Sequence, residues 1–330
     1  MKTLYEFINE GLLDNVEDSL TNGDTYVVVK EWIDIHYNIE GSYDIVTSKN
    51  DCIVNIEGSI RARQVRGGFE ALTNGMFRFG TVTGDFDANY QHFKNLEGSP
   101  RIVNGFFTIN HNMEEFTCKG APEKVGGITL GSNCISLEGM PQDCGSIIQC
   151  NESKLKSLNG CGKASAYHFQ NNEHLESVEG IPAGECGRLY LHNCKKLKSL
   201  KGLENVICKE LTLTSCKGLK NLEGIPSKFI NNYGSRPATI DLRDINLKTL
   251  KGIPSNADWS NVDINITGCD KLEDISMLPK CAVLRANFLP SLSKECYDNI
   301  NNYAYEVETD HKFPMGKAKK SKIRGMLFIR

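Results

Sequence analysis

The sequence lacks the short motifs that identify several common kinds of active site. It contains no C-x-x-C pair, no H-E-x-x-H zinc motif, no G-x-S-x-G nucleophile motif and no glycine-rich loop followed by Lys-Ser or Lys-Thr. Its seven histidines do not fall at metal-binding spacings. These absences favour a protein that is not an enzyme, and we predict no cofactor and no metal ion.

A surplus of positive charge and a long apolar run are also missing. The formal net charge is −3, which argues against overall attraction to nucleic acid but leaves room for a local basic patch. No apolar run approaches the roughly 20 residues of a membrane-spanning helix. The first residues do not show the charged-then-apolar order of a secretory signal. We therefore expect no membrane association and no export by a signal peptide.

A repeated apolar pattern runs through the second half of the chain. It reads L-x-L-x-x-C-x-x-L-x-x-L, with copies at Leu189–Leu200, Leu211–Leu222 and Ile264–Ile275. The two outer residues of L-x-L point to one side of a short strand, and L-x-x-L returns two more apolar side chains to the same interior. One repeat cannot bury this interior alone, but stacked repeats can. The pattern predicts a leucine-rich-repeat solenoid of short parallel strands, in the α/β or mainly β class.

A second pattern ends each unit: an apolar anchor, usually followed by x-Gly and often by x-Pro. Glycine permits a positive φ at a tight corner, and proline stops the strand or helix from continuing. The anchors lie 19 to 28 residues apart, and the longest steps predict insertions around 229–237 and 255–260. We also predict that Gly105, Gly127, Gly145 and Gly187 each precede a strand. The anchors are Leu96, Cys118, Leu137, Leu158, Val178, Leu200, Leu222, Leu250 and Ile275.

Cysteine is abundant, with thirteen residues. Cys194, Cys216 and Cys269 fall at the corner of the repeat, where a small buried thiol can satisfy backbone groups. The odd total and the repeat phasing favour reduced structural thiols in a cytoplasm. A zinc site is the alternative, and the absence of C-x-x-C makes it the weaker one.

The ends of the chain differ from the repeats. Val27–Tyr37 predicts a helix with Trp32 and Ile33 inward, and Tyr43–Ser48 and Asp51–Ile56 predict two strands. Such elements suit a small α+β cap, which solenoid ends need because they expose apolar surface. The predicted organisation is an N-terminal helix or leader at 1–24, the cap at 25–60, the solenoid at 61–285, and a C-terminal cap with a basic tail at 286–330.

The outward residues of the predicted strands are our candidates for binding a protein. They form a mixed polar and aromatic strip with too little basic charge for a nucleic-acid groove. The alternative is an ordinary solvated surface. The candidates are His168, Tyr190, His192, Thr212, Asp241 and Asn265.

The final residues carry a cluster of basic side chains without an acidic one. A solvated terminal extension is the simpler interpretation. The alternative is an electrostatic contact with nucleic acid or an acidic protein. The central residues are Lys317, Lys319, Lys320, Lys322 and Arg324.

An enzyme with its active site in a terminal region is the alternative to a binding protein. It predicts a deep pocket at one end of the chain, with converging polar groups that include His36 or His311.

The repeats resemble those of a family of leucine-rich-repeat-like proteins encoded by tailed bacteriophages, which read roughly L-x-G-x-P-x-x-V-x-G-x-F. Leu96–Phe107 and Lys119–Ile128 carry this pattern, and the resemblance covers about residues 60 to 285. Later repeats drift towards an ordinary leucine-rich pattern. The resemblance implies a phage-encoded scaffold whose partner is a virion protein or a host factor, including a host defence that it inhibits.

The first ten residues, Met1–Glu10, are similar to the capsid-targeting leader of internal head proteins in T4-like phages. That leader is cut after Leu/Ile-x-Glu, which matches Ile8, Asn9 and Glu10. The resemblance implies cleavage between Glu10 and Gly11 and places the protein in the virion or the host cytoplasm. An ordinary N-terminal helix is the alternative.

Overall fold

The computed structural model describes residues 22–48, 51–63, 72–73, 75–231 and 236–310. This part of the chain is mainly β, with few helices, and its strands form a parallel β-solenoid. Within it no helix has the length and apolarity needed to cross a membrane. The chain divides into two compact units, the first Met1–Leu155 with Asn159–Ala164 and the second Lys156–Leu158 with Ser165–Arg330.

The described part of the first unit begins with a helix followed by a hairpin. The helix begins five residues before the predicted Val27, and Trp32 and Ile33 are buried, as predicted. The hairpin pairs its two strands antiparallel over their whole length, so both strands are longer than the sequence indicates. The bounds are α1 (Asn22–His36), β1 (Tyr37–Ser48) and β2 (Asp51–Ala62).

The remaining strands of the first unit pair in parallel. They are β3 (Arg78–Val82), β4 (Phe86–Asp87), β5 (Ile102–Ile109), β6 (Phe116–Thr117), β7 (Lys124–Leu130), β8 (Cys134–Ser136) and β9 (Ile147–Cys150). β2 pairs with both β3 and β4, and both of these pair with β5. β5 then pairs with β7, and β7 with β9, while β6 and β8 form a separate parallel pair.

The second unit stacks seven parallel strands in chain order. A short helix and a 3₁₀ turn precede the last strand. The bounds are β10 (Ala166–Gln170), β11 (Gly184–His192), β12 (Val206–Thr212), β13 (Ala238–Asp241), β14 (Val262–Asn265), β15 (Cys281–Arg285), α2 (Lys294–Asp298), the 3₁₀ turn (Ile300–Asn302) and β16 (Ala304–Glu308).

The apolar residues of L-x-L point inward, as the repeat predicts. Leu189 pairs with Leu211 across neighbouring strands, and Ile240 pairs with Ile264. All four side chains are at most 1% exposed, so equivalent residues of successive turns form the interior. Burial of this kind stabilises a protein by roughly 1.5–3 kcal/mol for each large aliphatic side chain.

The glycine of each x-Gly corner has the positive φ that the sequence predicts, between +81° and +108°. Another glycine prediction is wrong, because Gly105, Gly127 and Gly187 lie inside strands and only Gly145 precedes one. The glycines at the x-Gly corners are Gly98, Gly120, Gly139, Gly160, Gly180, Gly202, Gly224 and Gly252.

The corner cysteines donate their thiols to the preceding turn. Asn112 makes the same connection in the first unit, where its amide donates to the carbonyl of Phe93 at 2.8 Å. All thirteen cysteines lie in the described part of the chain, and each is buried and free of disulfides. The thiol bonds join Cys194 to Phe169 O at 3.5 Å, Cys216 to Leu191 O at 3.5 Å and Cys269 to Leu242 O at 3.1 Å.

A row of left-handed residues was not predicted. In successive turns one non-glycine residue next to the buried corner has a φ between +53° and +73°, a region that residues other than Gly, Asn, Asp and His rarely adopt. Gly268 takes the same position in its own turn, with φ +75°. The residues are Tyr90, His111, Asn133, Glu152, Asn171, Asn193, Ser215, Asp244 and Phe288.

Candidate functional site

Five of the six predicted binding residues lie on one row of the second unit. They occupy equivalent positions on neighbouring strands, and all five are half-buried with their side chains on the outer side of the sheet. We call the outward side of β10–β16 the strand face. The row consists of His168, Tyr190, Thr212, Asp241 and Asn265.

His192, the sixth candidate, lies two residues beyond Tyr190 on β11 and points to the same side of the sheet. The rings of Tyr190 and His192 are stacked, with centroids 6.0 Å apart. The His168 ring approaches Tyr190 from the preceding strand, with centroids 5.4 Å apart. His192 is held in place by a 2.7 Å contact between its Nδ1 and the Thr214 hydroxyl. The structure therefore brings three of the predicted residues together as one aromatic cluster.

The pKa of His168 is lowered, chiefly by burial and then by the positive charge of Arg188. Since a free histidine has a pKa near 6.5, His168 is neutral at pH 7. The aromatic cluster thus adds rings to the strand face without adding positive charge from this side chain.

Two residues of the site were missed by the sequence analysis because their partner lies one turn away. Arg188 and Glu210 are register partners on β11 and β12. The Arg188 Nε donates to Glu210 Oε2 at 2.5 Å. A basic and an acidic residue 22 positions apart give no indication of an ion pair until the strand register is known. This pair lies on the row before Tyr190 and Thr212.

Asp241 and Arg243 form the second ion pair of the site. The guanidinium donates to both carboxylate oxygens, through Nε at 2.9 Å and 3.0 Å and through Nη2 at 2.6 Å. Hydrogen bonding to Asp241 is the main reason that the pKa of Arg243 is raised. Arg243 was not predicted, although this ion pair could have been inferred because Arg243 follows Asp241 by only two residues.

A third charged group lies further along the strand face. Arg285 donates to Glu308 at 3.0 Å and lies 3.8 Å from Asp263 Oδ2. Burial raises the pKa of Asp263, and the other oxygen of this carboxylate has no hydrogen-bond partner within the described residues. Asn265, the last predicted candidate, lies on the strand that carries Asp263.

An open hollow of about 370 Å³ lies between the aromatic cluster and the Asp241–Arg243 pair. The short side chains of Thr212, the last residue of β12, and Thr214, two residues later, line its floor, where β11 contributes the longer Tyr190 and His192. Both hydrogen-bond donors and acceptors line it. The full lining is Arg188, Tyr190, His192, Glu210, Thr212, Thr214, Ser215, Asp241, Arg243 and Asp244.

The first unit has a comparable row of its own. Asp87, Thr108 and Thr129 are register partners there, and Asp87 forms an ion pair with Arg61 at 2.9 Å. The half-buried His36 stacks on Trp32. The residues from Lys317 to Arg324, the Glu10–Gly11 bond and His311 lie outside the described residues.

No cluster of three or more His, Cys, Asp or Glu side chains suited to a metal ion occurs within the described ranges. The strand face instead offers aromatic rings, hydroxyls and charges that are mostly paired with one another. Such a surface supports recognition by shape and hydrogen bonding.

Comparison with known proteins adds no relative to this description. The chain matches no protein-family model, no curated protein sequence and no solved structure.

Proposed function

We propose that this protein is a non-enzymatic binding scaffold whose strand face in the second unit contacts another protein. The observation that carries the proposal is the open hollow beside the cluster of His168, Tyr190 and His192. Tyrosine and arginine are enriched at the centres of protein interfaces. Both residue types lie at this hollow, on strands that hold them in a fixed register.

The fixed geometry of the strand face supports the proposal. Arg188, Arg243 and Arg285 are each held by a carboxylate of the same unit. A partner therefore meets side chains that are already ordered, which reduces the entropy lost on binding.

The proposal includes the type of repeat and the role of the first elements. The repeat is of the leucine-rich kind, and α1 with the β1–β2 hairpin covers the N-terminal end of the coil. Trp32 and Tyr37 support this role, because both donate to the carbonyl of Leu72, at 2.7 Å and 2.6 Å. These bonds tie the helix and hairpin to the chain that follows them.

We place the scaffold in a phage setting on the strength of the repeat resemblance. The partner is then a virion protein or a host protein, and the protein acts in the virion or the host cytoplasm. If Met1–Glu10 serves as a capsid-targeting leader, the mature chain begins at Gly11 and enters the cell with the genome, where it inhibits a host defence.

Site-specific photo-crosslinking tests the proposed surface. A benzoylphenylalanine replaces Asn265 on the strand face or, as control, Glu223, which is exposed at an x-Gly corner. Each protein is illuminated in a lysate of cells that carry the source genome. We expect a saturable crosslink to one protein from position 265 and none from position 223. A Thr212→Trp substitution, which fills the hollow, should abolish the crosslink while leaving the circular dichroism spectrum unchanged.

Equal crosslinking from positions 265 and 223, or a crosslink that Thr212→Trp leaves intact, would contradict the proposed surface. Mass spectrometry of the crosslinked peptide then identifies the segment of the partner that lies on the face.

A further inference from the structure

The charges around the hollow are unequal in number. Three carboxylates, those of Glu210, Asp241 and Asp244, line it together with two guanidinium groups, those of Arg188 and Arg243. Both guanidinium groups are bound to a carboxylate, Arg188 to Glu210 and Arg243 to Asp241. The hollow therefore has one negative charge in excess, and that charge belongs to Asp244.

The backbone of Asp244 is held in a defined position although its carboxylate forms no ion pair. Its φ is +59°, and its backbone N–H donates to the carbonyl of Thr267 in the next turn at 3.2 Å. Its carboxylate lies over Gly268, whose missing side chain leaves room for it. Within the described residues this exposed carboxylate forms no ion pair, although the neighbouring Arg243, which is bound to Asp241, also interacts with it electrostatically. The fold thus presents a carboxylate at the edge of the hollow from a backbone position that the next turn holds.

The aromatic cluster occupies the opposite side of the hollow. Tyr190 and His192 both line it, and their rings are stacked on each other. The face of an aromatic ring attracts a cation that lies within about 6 Å of its centre. A flat, positively charged group placed between the rings and Asp244 would interact favourably with both.

We propose that the hollow receives an arginine side chain of the protein partner. This inference rests on the proposed function and names the chemistry of the segment that binds. A guanidinium group is planar, stacks on aromatic rings and forms two parallel hydrogen bonds with a carboxylate, whereas an ammonium group does not. A volume of about 370 Å³ is at the lower end of ligand sites, which suits one long side chain. The hydroxyls of Thr212 and Thr214 supply further acceptors on the floor.

The test uses a short peptide as probe, acetyl-Gly-Arg-Gly-amide, with ligand-observed saturation-transfer NMR on the full chain. Two matched peptides replace arginine with citrulline, which has the same shape without the charge, or with lysine. We expect the arginine peptide to bind most tightly and citrulline to weaken binding by up to about fivefold, the upper end of the scale for one exposed ion pair.

Protein variants then assign the contacts. Asp244→Asn removes the charge and keeps a residue that tolerates a positive φ, so it should weaken the arginine peptide about fivefold and leave the citrulline peptide unaffected. Tyr190→Leu removes the ring and should weaken both the arginine and the lysine peptide. Glu223→Gln is the matched control, since it removes one exposed carboxylate at a distant corner, and it should change nothing.

Equal binding of the arginine and citrulline peptides, or undiminished binding to Asp244→Asn, would overturn the inference. Crosslinking from position 265 distinguishes failure of the arginine pocket from failure of the proposed function. A partner that crosslinks there although arginine peptides do not bind leaves the strand face as the interface and rejects the arginine pocket. Absence of both the crosslink and peptide binding rejects both proposals.

Discussion

Gly120 lies directly over Glu97 of the preceding turn, and a Cβ at position 120 would lie 2.5 Å from the Cα of Glu97. The φ of Gly120 is also positive, +81°. Gly120→Ala therefore combines backbone strain with a clash against main-chain atoms that cannot move without separating the turns. We expect it to lower the free energy of unfolding by more than about 3 kcal/mol, measured by urea denaturation.

Gly184 is the matched control for this prediction. Its φ is +108°, but a Cβ there would meet no atom within 4 Å. Gly184→Ala should cost only the backbone strain, about 1–2 kcal/mol. Similar losses at positions 120 and 184 would show that close approach of the turns is not what requires glycine.

The two tryptophans differ in whether the indole N–H has a partner. Trp32 donates to Leu72 O at 2.7 Å, whereas the buried Trp259 Nε1 has no partner among the described residues. Replacing Trp32 with Phe loses a buried hydrogen bond to Leu72 O, which keeps only its bond from the Tyr37 hydroxyl, while the same change at Trp259 removes a donor that was unsatisfied. We expect Trp259→Phe to cost at least about 1 kcal/mol less than Trp32→Phe.

Circular dichroism in urea measures both tryptophan variants without relying on the replaced chromophore. An equal loss of stability at the two positions would mean that Trp259 N–H is satisfied in solution.

Buried thiols predict a loss of stability at alkaline pH. Burial raises the pKa of Cys144, Cys269 and Cys281 from 9.0 to about 12 each. Between pH 9 and 12 the folded chain therefore retains thiol protons that the unfolded chain releases. The contribution of these thiols to the free energy of unfolding is complete below pH 9 and is lost as the pH rises towards 12. Each thiol reduces stability by at most about 1.4 kcal/mol per pH unit in that window.

Urea midpoints at several pH values between 7 and 11 measure this loss. Cys269→Ser replaces a thiol that ionises in this range with a hydroxyl that does not, so its midpoint should fall less steeply above pH 9. A midpoint that does not change up to pH 11 in the original chain would show that the thiols titrate normally.

The corner hydrogen bond predicts which substitutions of Cys216 are tolerated. Its thiol donates to Leu191 O at 3.5 Å, and a serine hydroxyl can replace that donor. Cys216→Ser should therefore remain within about 1 kcal/mol of the original stability, whereas Cys216→Ala leaves the carbonyl unsatisfied and a small cavity, at a cost of about 2 kcal/mol. Chemical denaturation compares them, and a less stable serine variant would reject the corner bond as the reason for cysteine.

The sequence allowed the interior of the repeat to be predicted because its signal is local. The alternation at Leu189 and Leu191 sets which side of the strand is buried, and Gly120 or Gly252 marks a corner without reference to other turns. The aromatic cluster followed from the same alternation. Arg188, Glu210 and Asp244 could not be found in this way, because their roles depend on which residues of neighbouring turns lie beside them.

The first and last residues of the strands were also hard to predict from the nearby sequence. Gly187 looked like a corner, yet β11 passes through it from Gly184 to His192 because register pairing with β12 holds the backbone extended. Likewise Ser215 and Phe288 adopt a positive φ that their residue types disfavour. In both cases, contacts with adjacent turns override the local preference of the chain.

The register between β11 and β12 has a mechanical consequence. Leu189 pairs with Leu211, 22 residues later, and the strands of the second unit pair only with their neighbours in chain order. A stretching force applied to this unit would detach one coil at a time from the free end. Each detachment would release about 75 Å of extended chain at ~3.4 Å per residue. The unit would therefore lengthen in a series of small steps as the force increases, and not in one cooperative unfolding event.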